Sequence, residues 1–126
     1  IKHGVNKRVK FLAKPFTNIF NNKFDLIVSN PPYIRSSDIK NLDKDVKNFE
    51  PKIALDGGKD GLDVIRKVIY KSKEILKVNG LLALEIGNGQ HRKVSEILVN
   101  NSFKIENKLI DYNRNIRCLI SRYNWA

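Results

Sequence analysis

Methionine is absent from these 126 residues, cysteine and tryptophan occur once each, histidine twice and proline four times. One cysteine, Cys118, cannot form an internal disulfide, so nothing points to an oxidising compartment. It lies in an apolar, β-prone stretch and reads as core filler. The two histidines, His3 and His91, stand far apart without cysteine or acidic partners at ligand spacing, which gives no metal site. No apolar run approaches the roughly 20 residues needed to span a bilayer, and no signal-peptide pattern is present. The expected setting is therefore the cytoplasm, without a membrane partner. Acid is scarce too: the chain holds 13 Asp+Glu against 24 Lys+Arg, and no acid precedes Asp25. The lack of methionine has its own meaning. Translation starts with Met and this chain begins at Ile1, so either the start was processed away or the chain is a piece of a longer protein.

What remains is ordinary in bulk. A length of 126 residues suggests one domain at most, and 41% hydrophobic with 29% charged residues fits a globular protein. The formal charge of +11 invites a nucleic-acid partner. Against that, the lysines are scattered through every segment with no aromatic–basic stripe. The chain is heavy in Lys, Asn and Ile, as AT-rich coding would make it, and drift outweighs a nucleic-acid reading.

Hydropathy patterning then gives the order of elements. Val9-Lys10-Phe11-Leu12 predicts a short strand, ended by Pro15. Residues 24–29 predict a stronger one, whose nearly unbroken apolar run suits a strand covered on both faces. Asn30-Pro31-Pro32 stops it, because proline cannot donate to a ladder. Residues 35–58 are polar, with a short helix expected within 38–47 and turns at Glu50-Pro51 and Gly57-Gly58. A helix follows, with Asp60 as its cap, Asp63 near its positive end, and Leu62, Ile65, Val68, Ile69, Ile75 and Leu76 on one face. Asn79-Gly80 is its expected stop. A buried strand over 81–86, a turn at Gly87-Asn88-Gly89 and a short helix marked by Val94, Ile97 and Leu98 come next. Strands near 103–110 and 116–122 close the chain. Alternating strands and helices imply parallel crossovers. The last two strands are joined by a link too short for a crossover, so they should be antiparallel. The expectation is an α/β fold with a mostly parallel sheet and an antiparallel terminal strand, undivided by any internal boundary.

Asn30-Pro31-Pro32-Tyr33 sits at the carboxyl end of a strand, the edge where open α/β sheets bind ligands. Two prolines fix φ and remove two donors. The Pro31 carbonyl and the Asn30 amide oxygen can then converge on one –NH2 group and accept both its hydrogens. Tyr33 offers a flat face for a planar group. An amide or aromatic amino nitrogen is a poor nucleophile, since its lone pair is shared with a π-system. Gripping both N–H bonds orients it and stabilises the charge that grows as it attacks an electrophilic methyl. No general base is required, and no His or Cys nucleophile stands near the motif. A plain Pro-Pro turn at a strand end is the bland alternative.

The tract from Phe24 to Ile34 resembles the core of the HemK/PrmC family, the release factor glutamine N(5)-methyltransferases. The likeness continues through Glu50-Pro51, Ala54-Leu55, Gly57-Gly58, Asp60-Gly61-Leu62, Leu84-Glu85-Ile86-Gly87 with Gln90, and the stretch from Asp111 to Arg117. The four-residue core alone is shared with adenine-amino and guanine-amino methyltransferases; the longer tract is far more specific. The resemblance implies a Rossmann-like class I methyltransferase fold, S-adenosylmethionine as methyl donor, and as partner a class 1 peptide release factor, whose Gly-Gly-Gln glutamine amide is the acceptor. It places Asn30, Pro31 and Tyr33 in catalysis and substrate binding, Pro32 in holding the loop, and Asn30 near the donor's methionine end. It sets Phe16 near the adenine, although the family's acidic–aromatic pair reads Lys14-Pro15-Phe16 here. The family's Gly-rich donor loop, its ribose-binding acid and its helical N-terminal domain have no match in these residues. The expectation is that residues 1–126 are the C-terminal portion of the catalytic domain, inactive alone, with strand 24–29 left at an open edge.

Other features weigh less. Gly57-Gly58-Lys59 lacks phosphate-loop spacing and reads as a family turn. Glu85 either faces the cleft or is a half-buried strand-end acid. Asp111, Arg114 and Arg117 read as surface pairing, and Trp125 as packing or a frayed end. Two other enzymatic classes stay open, a ribosomal-protein glutamine methyltransferase and a nucleic-acid amino-methyltransferase, as does a non-enzymatic remnant.

Overall fold

The computed structural model describes residues 7–20, 23–41 and 56–124. Its elements are β1 (Phe24–Ser29), α1 (Asp63–Ile75), β2 (Leu76–Glu85), α2 (His91–Asn100), β3 (Phe103–Ile110) and β4 (Ile116–Tyr123), with 3-10 turns at Phe16–Asn18 and Ser36–Asn41. One four-stranded sheet has the order β1-β2-β4-β3. β1 and β2 are parallel, and β4 runs antiparallel to both neighbours. β4 is therefore the reversed strand, inserted between two that run the same way. The α/β class and the antiparallel final pair are as the sequence predicts. Asp111 shapes the link between β3 and β4, its Oδ1 accepting the N–H of Asn113 at 2.8 Å and of Asn115 at 3.0 Å.

Both helices contribute to one core. Ile65 and Ile69 of α1 and Val94 and Leu98 of α2 are fully buried with Leu82 and Leu84 of β2 and Leu119 of β4. The alternate residues of β2 and β4, such as Ala83 and Ile120, are only half-buried. A fully buried side chain of this size contributes roughly 1.5–3 kcal/mol.

Four expectations need correction. Val9–Leu12 forms no strand; Phe11 is 82% exposed, and no described strand pairs with this stretch. β1 is not covered on both faces, since Leu26 is 53% and Val28 73% exposed. It is an edge strand that pairs with β2 alone among the described strands, which agrees with the expected open edge. The first helix stops at Ile75, ahead of Asn79-Gly80, because Leu76 turns extended, is buried, and pairs with Phe24. Asn79 and Gly80 instead shape an irregularity inside β2. From Phe24 to Leu26 the partner position moves from Leu76 to Leu81, and Asn79 takes φ 68° within that excess. Finally, Leu62 rather than Asp60 is the N-cap residue. Asp60 acts two residues earlier, accepting the Leu62 N–H at 3.0 Å and both terminal nitrogens of Arg66. Within 38–47, the 3-10 turn covers only the start; the remainder lies outside the described residues, as do His3, Glu50-Pro51, Ala54-Leu55 and Trp125.

Candidate acceptor site

β1 delivers the chain to Asn30 at the carboxyl edge of the sheet. Asn30 is exposed, Pro31 buried, and Pro32 and Tyr33 half-buried, with no cis peptide bond. Ile34 then pairs with Asp56 in a parallel bridge. Gly57 N–H donates to the Ile34 carbonyl at 2.7 Å, and Ser36 N–H to that of Gly58 at 2.8 Å. Asp56 Oδ1 closes this junction, accepting the Ser36 hydroxyl at 2.6 Å and the Gly58 N–H at 2.9 Å. The backbone leaves no room at position 57: a Cβ there would lie 2.8 Å from both the Pro32 carbonyl oxygen and Tyr33 Cα. Gly57-Gly58 thus serves as the frame of the Pro-Pro loop, as the turn reading predicts.

The second wall comes from the β2–α2 turn. Gln90 Nε2 donates to the Tyr33 carbonyl at 3.0 Å, while its Oε1 accepts the Gly87 N–H at 2.7 Å. A Cβ on Gly87 would come within 2.6 Å of Tyr33 Cδ2, so only glycine lets the ring lie this close. The third contact comes from β4. Arg117 Nη2 donates to the Tyr33 hydroxyl oxygen at 2.9 Å and Nε to the Ile86 carbonyl at 3.0 Å. Asp111 lies 3.8 Å from Arg117 Nη1. Of the Asp111, Arg114 and Arg117 group, the sequence reading as surface pairing misses this role: Arg117 turns inward to Tyr33, and Asp111 backs it. The only signal in the sequence was their place in the resembling tract.

One cleft borders the loop at Tyr33, and another lies beside β1. The first, of about 400 Å3, is lined by Tyr33, Ile34, Arg35, Asp38, Asp60 and Gln90 among others. The second, of about 350 Å3, lies between β1 and α1 and is lined by Phe16, Phe24, Val28, Ser29, Val68 and Ile75 among others. The structure places Asn30, Pro31, Pro32 and Tyr33 in one short loop between β1 and the Ile34 bridge. Phe16 is set apart, in a cleft that reaches Ser29, one residue before Asn30. Glu85 is half-buried at the end of β2, opposite Cys118. Burial, and then the Glu85 charge, push the Cys118 thiol above its ordinary value, which keeps it protonated and un-nucleophilic at neutral pH.

The family described as Eco57I restriction-modification methylase matches residues 1–116. The release factor glutamine methyltransferase of Clostridium acetobutylicum is 54% identical over 81 residues, which is 64% of this chain and 28% of that protein. That of Agrobacterium fabrum is 36% identical over 121 residues, 96% of this chain and 42% of the relative. The ribosomal protein uL3 glutamine methyltransferase of Francisella tularensis is 40% identical over 91 residues, covering 71% and 29%. The chain thus spans well under half the length of these relatives. The resemblance read from the motif tracts is borne out, and the chain belongs to the Eco57I restriction-modification methylase family.

Proposed function

We propose that this chain supplies the acceptor-binding part of an S-adenosylmethionine-dependent methyltransferase. Its acceptor is the side-chain amide nitrogen of the glutamine in the Gly-Gly-Gln tip of class 1 peptide release factors. The observation that carries the reading is the acceptor loop itself. An exposed Asn30 follows β1 at the ligand-binding edge, and the loop behind it is held from three sides.

In this reading the Asn30 amide oxygen and the Pro31 carbonyl accept the two N–H bonds of the glutamine amide, and Tyr33 lies against its plane. Pro32 keeps the loop from relaxing. When bound, the donor would supply an electrophilic methyl: the amide nitrogen would bond to that carbon as the methyl–sulfur bond breaks, with the thioether as leaving group and the surplus amide proton passing to water. The loop's contribution is orientation and stabilisation of charge on that nitrogen.

A methylase calls for a methyl donor, and S-adenosylmethionine supplies an activated methyl on a sulfonium. The described residues fit its apolar end: Phe16 is 36% exposed on an apolar cleft that reaches Ser29. Lys14, exposed, stands where the family's acidic–aromatic pair carries its acid, so that contact near the adenine has no acidic counterpart here.

The relative acting on uL3 supports a second reading, with a ribosomal-protein glutamine as acceptor. A chimera decides, in which this chain replaces the matching segment of the Clostridium acetobutylicum relative. With methyl-labelled donor, it is offered a release factor, uL3 and duplex DNA in parallel. Label on the release-factor glutamine, located by peptide mass spectrometry, is the expected result. Label on uL3 or DNA alone overturns it.

A further inference from the structure

Tyr33 is fixed by more contacts than a turn residue needs. Its hydroxyl oxygen accepts from Arg117, its carbonyl accepts from Gln90, and its ring edge lies against Gly87. The Arg117 guanidinium also stands over the ring, 5.7 Å from its centroid. We propose that Arg117 and Gln90 are positioning residues of the acceptor site. Together they fix the plane of the Tyr33 ring, so that its face, rather than its hydroxyl, meets the planar amide of the substrate. The proposal rests on the reading above that Tyr33 flanks the acceptor amide.

The chemistry of each residue suits this role. Arg117 uses three nitrogens of one planar group: Nη2 on Tyr33, Nε on Ile86, and Nη1 toward Asp111. The Ile86 carbonyl fixes where the guanidinium lies, and Asp111 supplies the countercharge. The Tyr33 hydroxyl therefore meets a donor whose place is set by β2 and by the β3–β4 link. A lysine ammonium is a point charge on a flexible stem and cannot hold that fork. Gln90 is equally specific, because it donates to Tyr33 and accepts from Gly87 at once. Glutamate keeps the acceptor and loses the donor. The two residues hold opposite ends of Tyr33, Arg117 the tip of the ring and Gln90 the main chain. A stack on an amide needs both, since rotation about either end tilts the ring.

The test uses the 126-residue chain with arginine side-chain nitrogens and tyrosine rings isotopically labelled for NMR. The probe is a short peptide carrying Gly-Gly-Gln, compared with the same peptide carrying Gly-Gly-Asn. In the wild-type chain, the Arg117 Nε–H should be protected from exchange, and Tyr33→Phe should reduce that protection about tenfold, by loss of a charge-assisted bond at the adjacent nitrogen. The glutamine peptide should shift the Tyr33 ring signals. Arg117→Lys and Gln90→Glu should each erase the preference for glutamine over asparagine while the ring signals of Tyr123, buried in the core, stay in place. Gln90→Glu stands in if Arg117→Lys fails to fold. Unchanged preference in both folded variants overturns the proposal and leaves the contacts as plain scaffolding. A wild-type chain that ignores the glutamine peptide, yet keeps Tyr33-dependent Arg117 protection, overturns the acceptor reading itself. Protection that is indifferent to Tyr33→Phe overturns the clamp.

Discussion

Asn30 and Tyr33 are held to different standards of freedom. Asn30 is exposed and follows the last residue of β1, whereas Tyr33 is tied at its hydroxyl, carbonyl and ring edge. Gly87→Ala should therefore disturb the site without emptying the core. The added Cβ would meet Tyr33 Cδ2 at 2.6 Å and the Gln90 side chain, which forces the ring to move. The expected result is a loss of about 1–3 kcal/mol in thermal stability, the usual cost of overpacking, with displaced Tyr33 ring signals. Asp60 carries a separate prediction. The Arg66 hydrogen bond, and then the Leu62 N–H, hold its carboxyl down to about 2 from 3.8. A folded value below the unfolded one gives stability that is present above about pH 4 and lost as pH falls toward 2. Side-chain exposure near 42% keeps this within about 1 kcal/mol. Asp60→Asn should flatten the melting temperature over that window and leave its slope near neutrality alone.

At the scale of elements, β1 is the exposed border of the sheet. Val28 is 73% exposed on a strand whose outer side meets no other described strand. Edges of this kind template pairing with other chains, and a lysine on them opposes it. Val28→Lys should lower self-association, measured by light scattering, with little change in melting temperature; unchanged association would contradict this account. Leu84→Ala belongs to the interior instead. Leu84 is fully buried between the helices and β4, and its truncation should cost about 2–5 kcal/mol in denaturant unfolding. Most elements were legible in sequence because their apolar spacing is strong, as in α1, where Ile65, Val68 and Ile69 share a face. The end of α1 was not, since pairing of Leu76 with Phe24 overrides the local stop at Asn79-Gly80. The Val9–Leu12 strand failed for the complementary reason: β-prone residues with no partner among the described strands form no ladder.

For the whole molecule, the charge of +11 and a family named for restriction-modification methylases both suggest DNA, whereas the relatives named here act on glutamine. On the proposed reading the four-residue core accounts for the overlap, since amide and nucleobase amino groups would present the same pair of N–H donors to Asn30 and Pro31. Scattered lysines support only sequence-indifferent attraction to phosphates. Duplex DNA should bind this chain weakly, in proportion to its charge, and be released as salt rises from about 50 to 200 mM. Fluorescence anisotropy checks this, and salt-resistant binding would favour a nucleobase acceptor. In the site, the loop and its prolines were readable from sequence. The hold of Arg117 and Gln90 on Tyr33 was not, because it joins residues 84 and 57 positions apart in the chain.

The central claim is that Asn30 grips the acceptor amide, and turnover by the chimera tests it most directly. Asn30→Ala should slow methylation of the release-factor glutamine by about 10²–10³-fold, the usual cost of one preorganised polar contact in the transition state. Donor affinity, measured alongside, should change far less. Equal turnover with and without the substitution would contradict the account.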